Sequence, residues 1–168
     1  QYPKGLSMTI YVHKLEGDVQ ELDTLNHYIG MRRLEDAAKT ERRLALPGLS
    51  VIVGGLLIAA FCRRRWASIF VIPAVAFPMV FALDLYFWLR DSGLNLDPHA
   101  PLSSSIKPFI PPLFGEGKIA QFKAYAGFEN GFYAALAAAL LTFIAGLLRA
   151  AIKSRSGLHA LLFLISLA

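Results

Sequence analysis

The chain reads as an all-α integral membrane protein with three to four transmembrane helices, a small strand-helix element and a proline-rich loop on its outer face. Three observations predict this class. The 168 residues are 55% hydrophobic and only 17% charged, whereas soluble domains are about 45–50% apolar. Apolar runs of near-spanning length recur along the chain. The basic residues are also unevenly placed: Arg63, Arg64 and Arg65 form one cluster and Arg149, Lys153 and Arg155 a second, each at the end of a long apolar run.

The remaining charges cancel. Before Pro47, Lys4, Lys14, Arg32, Arg33, Lys39, Arg42 and Arg43 face Glu16, Asp18, Glu21, Asp23, Glu35, Asp36 and Glu41, and Arg90 through Lys123 balances Asp91, Asp97, Glu116 and Glu129. The formal +5 is therefore the two clusters less one acid, Asp84, which lies inside an apolar stretch. Cytoplasmic loops collect Lys and Arg, so both clusters are expected inside and the two neutral segments outside. The positive excess is used for topology, without the aromatic interleaving of a nucleic-acid groove, so nucleic acid is not an expected partner. Cys62 is the single cysteine, which excludes an internal disulfide. An outer segment at the N-terminus implies an upstream signal or helix, and a short apolar run at the C-terminus implies a remainder beyond it.

In order along the chain, residues 1–46 form the first outer segment. Leu6, Met8, Ile10 and Val12 alternate with polar or aromatic neighbours, the period of a half-buried strand ending at Gly17-Asp18. Asp18 and Glu21 have capping-box spacing, opening a helix through Leu22, Leu25 and Ile29 that Gly30 stops. Residues 47–62 form the first span, which 44–46 extend, with Pro47 in its first turn where a missing N–H costs little. Residues 63–65 are a cytoplasmic turn. Residues 66–89 form the second span, kinked by Pro73 and Pro78, with Tyr86 and Trp88 at its outer interface and Trp66 at its inner one.

Residues 90–129 carry Pro98, Pro101, Pro108, Pro111 and Pro112, which rules out a long helix and predicts an extended outer loop. Residues 130–148 form the third span, and Gly127 just before it with Gly131, Ala135 and Ala139 in it place small residues every four positions for close helix packing. Residues 149–156 are a second cytoplasmic turn. Residues 157–168 then form a partial span, since a helix of that length rises only ~18 Å against a core of ~30 Å.

Few residues carry chemistry. His27 and Met31 stand four apart with Asp23 one turn earlier, and imidazole with thioether suits copper. Met8, His13 and His99 are reserve ligands. Interfacial packing and hydrogen bonding are the alternative use of all five. Asp84 is the one ionisable residue inside a predicted span. Such an acid is a functional candidate by default, but its shallow depth favours a hydrogen bond to an outer-loop group such as His99 or Lys107. Gly115-Glu116-Gly117-Lys118 is a poor phosphate loop, because Ile119 replaces the metal-binding hydroxyl. No CxxCH, HExxH, GxSxG or dinucleotide fingerprint occurs. Haem, nucleotide and enzymatic activity are not expected.

The patterns Tyr2-Pro3-x-Gly5-Leu6, Gly17-Asp18-Val19, Asn26-His27-Tyr28-Ile29-Gly30-Met31, Asp84-Leu85-Tyr86-x-Trp88-Leu89, Asn95-Leu96-Asp97-Pro98-x-Ala100-Pro101 and Pro111-Pro112-x-x-Gly115, with Ile119-Ala120-x-Phe122, span nearly the whole chain. In them the sequence resembles a family of small bacterial membrane proteins that accompany copper-handling genes of the nitrous-oxide-reductase accessory type. The resemblance implies a copper-related periplasmic role at the bacterial inner membrane, in binding, delivery or assembly of a copper enzyme. Leu94 departs from the pattern, standing where a histidine is expected, and removes one possible ligand. A non-catalytic subunit of a larger membrane complex, such as an oxidase, monooxygenase or photosynthetic assembly, is the alternative. Membrane lipid and other membrane subunits or a copper enzyme are the expected partners.

Overall fold

Where the alternation of Leu6 to Val12 predicts one strand, the chain instead turns back on itself. A computed structural model describes residues 5–36, 38–62, 64–119 and 122–166, with 35, 65, 119 and 153–166 as backbone only. In it β1 (Met8–Ile10) pairs antiparallel with β2 (Leu15–Gly17), Met8 opposite Gly17 and Ile10 opposite Leu15. The turn closes with the Tyr11 N–H donating to Lys14 O at 2.9 Å. At the other end, the Ser7 N–H donates to the Asp18 carboxylate at 2.9 Å and the Asp18 N–H returns to Ser7 O at 2.8 Å. That exchange occupies the carboxylate, so Asp18 makes no side-chain cap on the next helix and the expected capping box does not form.

Helix α1 (Val19–Ile29) ends as its sequence predicts. Gly30 adopts φ 83°, the left-handed conformation that closes a helix, and the Met31 N–H bonds back to Asn26 O at 2.9 Å. Beyond it, the Leu34 N–H donates to Asp23 Oδ1 at 2.5 Å, which ties a short 3-10 turn, Leu34–Asp36, back onto α1. Helix α2 (Lys39–Phe61) starts eight positions before Pro47, so the proline lies inside the helix rather than in its first turn. The charged residues at 39–43 are good helix formers and extend the apolar run toward its N-terminus. A 3-10 helix, Arg65–Phe70, leads into α3 (Val71–Leu94), which places Pro73 in the first turn and leaves Pro78 inside.

The loop after α3 is not wholly irregular. Successive turns between residues 97 and 105 are held by Ala100 N–H to Asp97 O, Ser103 N–H to Ala100 O and Ser105 N–H to Leu102 O. A hairpin that the prolines conceal then follows: β3 (Gly115–Ile119) against β4 (Phe122–Ala126), with Glu116 opposite Tyr125 and Lys118 opposite Lys123. Helix α4 (Asn130–Ser166) runs unbroken through the expected turn at 149–156 and on to residue 166 of the separate partial span expected at 157–168, whose last two residues lie outside the described ones. Gly157 costs only about 1 kcal/mol in a helix interior, which does not end a helix whose other residues favour it.

Three helical stretches, Lys39–Phe61, Trp66–Leu94 and Asn130–Ile152, are long and apolar enough to cross a membrane. The chain divides into two compact units, one joining the residues up to Ser50 with Val80–Phe128, the other joining Val51–Met79 with the chain from Glu129 onward. In the first unit the buried core is Ile29, Leu34, Ser92 and Ala100. In the second it is Ala59, Ala67 and Ala139, where small side chains let backbones come close: a Cβ on Gly55 would meet Phe70 at 3.2 Å.

The first unit is closed by the end of α1 meeting the turns after α3. Asp97 N–H donates to Gly30 O at 2.9 Å and Leu102 N–H to Tyr28 O at 3.0 Å. A Cβ on Gly30 would meet the Asp97 backbone N and O at 2.9 Å and Ala100 Cβ at 3.2 Å. Gly30→Ala therefore faces both a left-handed backbone and a collision, and is expected to cost about 1–3 kcal/mol. Gly48→Ala, in the open with nothing within 4 Å, should instead be neutral or gain up to about 1 kcal/mol from helix propensity. Thermal unfolding of both variants in detergent measures the contrast.

Candidate functional site

The five residues considered as metal ligands are all in the first unit, spread over separate local structures. Met8 is half-buried in β1, and His13 is exposed in the turn after it, its ring 6.4 Å from that of Tyr11. That turn carries a compact polar group: Lys14 pairs with Glu16 and lies 5.0 Å from the Tyr11 ring centre. The hydrogen bond to Lys14 holds the Glu16 carboxyl below its ordinary value, and the same bond raises Lys14.

His27 is exposed in the last turn of α1, beside Tyr28 with ring centres 6.1 Å apart. Met31 does not continue its helical face. The helix ends at Ile29, Gly30 reverses the chain, and Met31 uses its N–H to satisfy an orphan carbonyl of α1. Asp23, expected to join them, accepts from the Leu34 N–H through Oδ1. His27 and Met31 are thus not an i, i+4 pair of one helix.

His99 gains a neighbour that the spacing did not reveal. Its N–H donates to Asp97 Oδ1 at 2.9 Å and its Nδ1 lies 3.3 Å from the same oxygen. The backbone N–H of His99 is the main cause that holds the Asp97 carboxyl below the usual range, helped by the His99 ring and by the charge of His27. Asp97 is thus met by both the backbone and the ring of His99. Among the described residues no three of His, Cys, Asp and Glu converge in a metal-holding group.

The patterns NHYIGM and NLDPxAP meet in the same place and have a structural use there. Tyr28 and Gly30 supply carbonyls, Asp97 and Leu102 supply N–H groups, and Ala100 fills the space a Gly30 side chain would take. Next to them, Arg32 pairs with Asp91 at 2.9 Å, and Asn95 Nδ2 donates to the same carboxylate at 2.6 Å. Gly93 plays the part of Gly30 for the next segment, since a Cβ there would lie 2.3 Å from Phe109 O, whose own N–H donates to Gly93 O at 3.0 Å. Pro112 packs on Gly117, and Phe114 stacks on Phe128 with ring centres 6.4 Å apart. The glycines of Gly115-Glu116-Gly117-Lys118 thus belong to a strand and its packing rather than to a phosphate loop. Tyr2, Pro3 and Ala120 of the family pattern lie outside the described residues.

Asp84 is exposed on α3. It does not reach the outer-loop groups His99 or Lys107 through any hydrogen bond or ion pair. Of the topology residues, Arg149 has a specific structural role. It donates from both terminal nitrogens, to Ala59 O and, at 2.5 Å, to Cys62 O, and so caps the C-terminal carbonyls of α2. A cation is favoured at that end of a helix. Arg64 is exposed at the start of the 3-10 helix, Arg63 lies outside the described residues, and Arg65, Lys153 and Arg155 are described as backbone only. Compared with known families, curated proteins and solved structures, the chain matches none.

A depressed carboxyl stabilises the fold above its unfolded value of about 3.9, and that stabilisation disappears as pH falls through the lower folded value. Asp97→Asn removes the group, so the variant should lose less of its thermal midpoint than the parent when pH is lowered through this range. A pH series of melting curves checks the sign. Equal acid sensitivity would show that Asp97 is not coupled to folding.

Proposed function

We propose that the protein is an integral membrane protein of the bacterial cytoplasmic membrane, acting as a non-catalytic accessory subunit with its first unit on the periplasmic side. The observation that carries this reading is Asp84, an exposed carboxylate on an apolar helix. A carboxylate in a span is expensive unless it is paired or faces a polar interior. A partner chain that brings a basic or hydrogen-bonding side chain to this position satisfies it. The three spanning windows are only 11%, 11% and 6% buried within the chain, so most of their apolar surface is left for lipid and for other helices. Gly48 and Gly54 of α2 and Gly131 of α4 stand open, the kind of notch that lets a neighbouring helix approach closely.

Orientation follows from the charge asymmetry of the sequence and is directly testable. In a Cys62→Ser background, a cysteine at Ser104 should react in intact cells with a membrane-impermeant thiol reagent, and one at Ser68 should not. Reaction at Ser68 alone would invert the topology. For the partner, Asp84→Ala should lower the yield of co-purifying subunits in mild detergent, and Asp84→Asn should retain more of it, leaving helix content unchanged. Migration of the parent protein as a lone chain on native gels would defeat the subunit reading.

A copper-associated role is the second reading, supported by the family resemblance and by the pairing of His99 Nδ1 with Asp97 Oδ1 at 3.3 Å. Copper titration of the purified protein separates it from the first reading. Binding that falls at least ten-fold in a His27→Ala/His99→Ala variant and little in Met31→Ala would support binding by these histidines. Equal binding by all three proteins would sink it.

A further inference from the structure

The second unit contains a groove of about 770 Å³ between the start of α3 and the middle of α4, within the range of roughly 300–1,000 Å³ that ligand sites occupy. Its lining is segregated along its length. Arg64, Ser68 and Arg149 line the groove together with Val75, Phe143 and Leu147, and no acidic side chain is among the lining residues. Arg149 and Arg64 belong to one end, because Arg149 holds the carbonyl of Cys62, two residues before Arg64. Gly146 faces Val71 at 3.8 Å one turn further on. Val75 and Phe143 lie a further turn along the two helices, so the walls are apolar for roughly 10 Å beyond the basic end.

From this we infer that the groove is a binding site for an anionic phospholipid, with the phosphate at Arg64, Ser68 and Arg149 and the upper acyl chain along Val75, Phe143 and Leu147. Basic pockets between spanning helices on the cytoplasmic side are where acidic head groups bind. Arg149 is already fixed by its two carbonyl contacts, so it presents a positioned charge with donors remaining on a five-donor guanidinium. Arg64 has no acidic partner among the described residues and is exposed. Gly146 supplies the width, because any side chain there would enter the groove.

The inference rests on the membrane reading above, and the experiment keeps the two apart. Full-length protein is reconstituted in bilayers of equal phosphatidylglycerol and phosphatidylcholine, extracted in mild detergent, and its retained lipid is counted by native mass spectrometry. Alkaline extraction of the source membranes is run in parallel. Retention should favour phosphatidylglycerol. Arg64→Gln should reduce that preference by about five-fold, the effect of losing one basic contact with an anionic lipid, and Gly146→Leu should reduce retention of both lipids. Both variants are compared at matched helix content. Arg149 is left intact because it also caps α2. Equal retention of the two lipids, or an unchanged preference in Arg64→Gln, overturns the site while the membrane reading stands. Displacement by millimolar inorganic phosphate identifies a small-anion site and also overturns it. Release of the protein by alkaline extraction defeats the membrane reading itself.

Discussion

The first unit depends on one close approach, that of the Gly30 backbone to the turn at Asp97. The helix must end in a left-handed residue, the neighbouring carbonyl must remain free to accept from the loop, and no side chain can occupy the space between them. Glycine satisfies all three demands at once. Two hydrogen bonds, to Gly30 O and Tyr28 O, then hold the loop against α1, and Ala100 is buried where a larger residue would force them apart. The same device recurs at Gly93 against Phe109, so a loop with many prolines is anchored at two places by backbone contact rather than by a large core.

This economy explains what the sequence made legible. The end of α1 at Gly30 could be read from the residue type, because few alternatives to glycine tolerate that backbone. The three apolar helices could be read from length and composition. The helix boundaries shifted because helix-forming charged residues extend the helix beyond the apolar run: α2 begins at Lys39 and α4 continues past Arg149. The hairpin of β3 and β4 was hidden by Pro111 and Pro112, which precede it, and by the lack of strong apolar alternation in Gly115–Ile119. A faint signal was present in the glutamate and tyrosine that face each other at 116 and 125.

The candidate chemistry was less legible, for a physical reason. Sequence spacing places residues on one face of an element only while the element lasts, and α1 stops between His27 and Met31. The long-range contact that does form is between backbones, Asp97 N–H to Gly30 O, and it joins segments about seventy positions apart, beyond what spacing can reveal. Arg149 teaches the same lesson. Its place in a basic cluster predicts orientation, whereas its contact with Ala59 and Cys62 makes it a helix cap and one wall of a groove.

The division that emerges is between a unit closed by backbone contacts and apolar helices long enough to cross a membrane whose surfaces are mostly exposed. The closure of that unit is the claim on which the rest stands, and amide hydrogen exchange of the protein in lipid nanodiscs tests it most directly. The amides of Asp97 and Leu102 should be protected, and Gly30→Ala should release both while α1 stays protected up to its last turn. Rapid exchange at both amides in the parent protein, with α1 intact, would contradict the account.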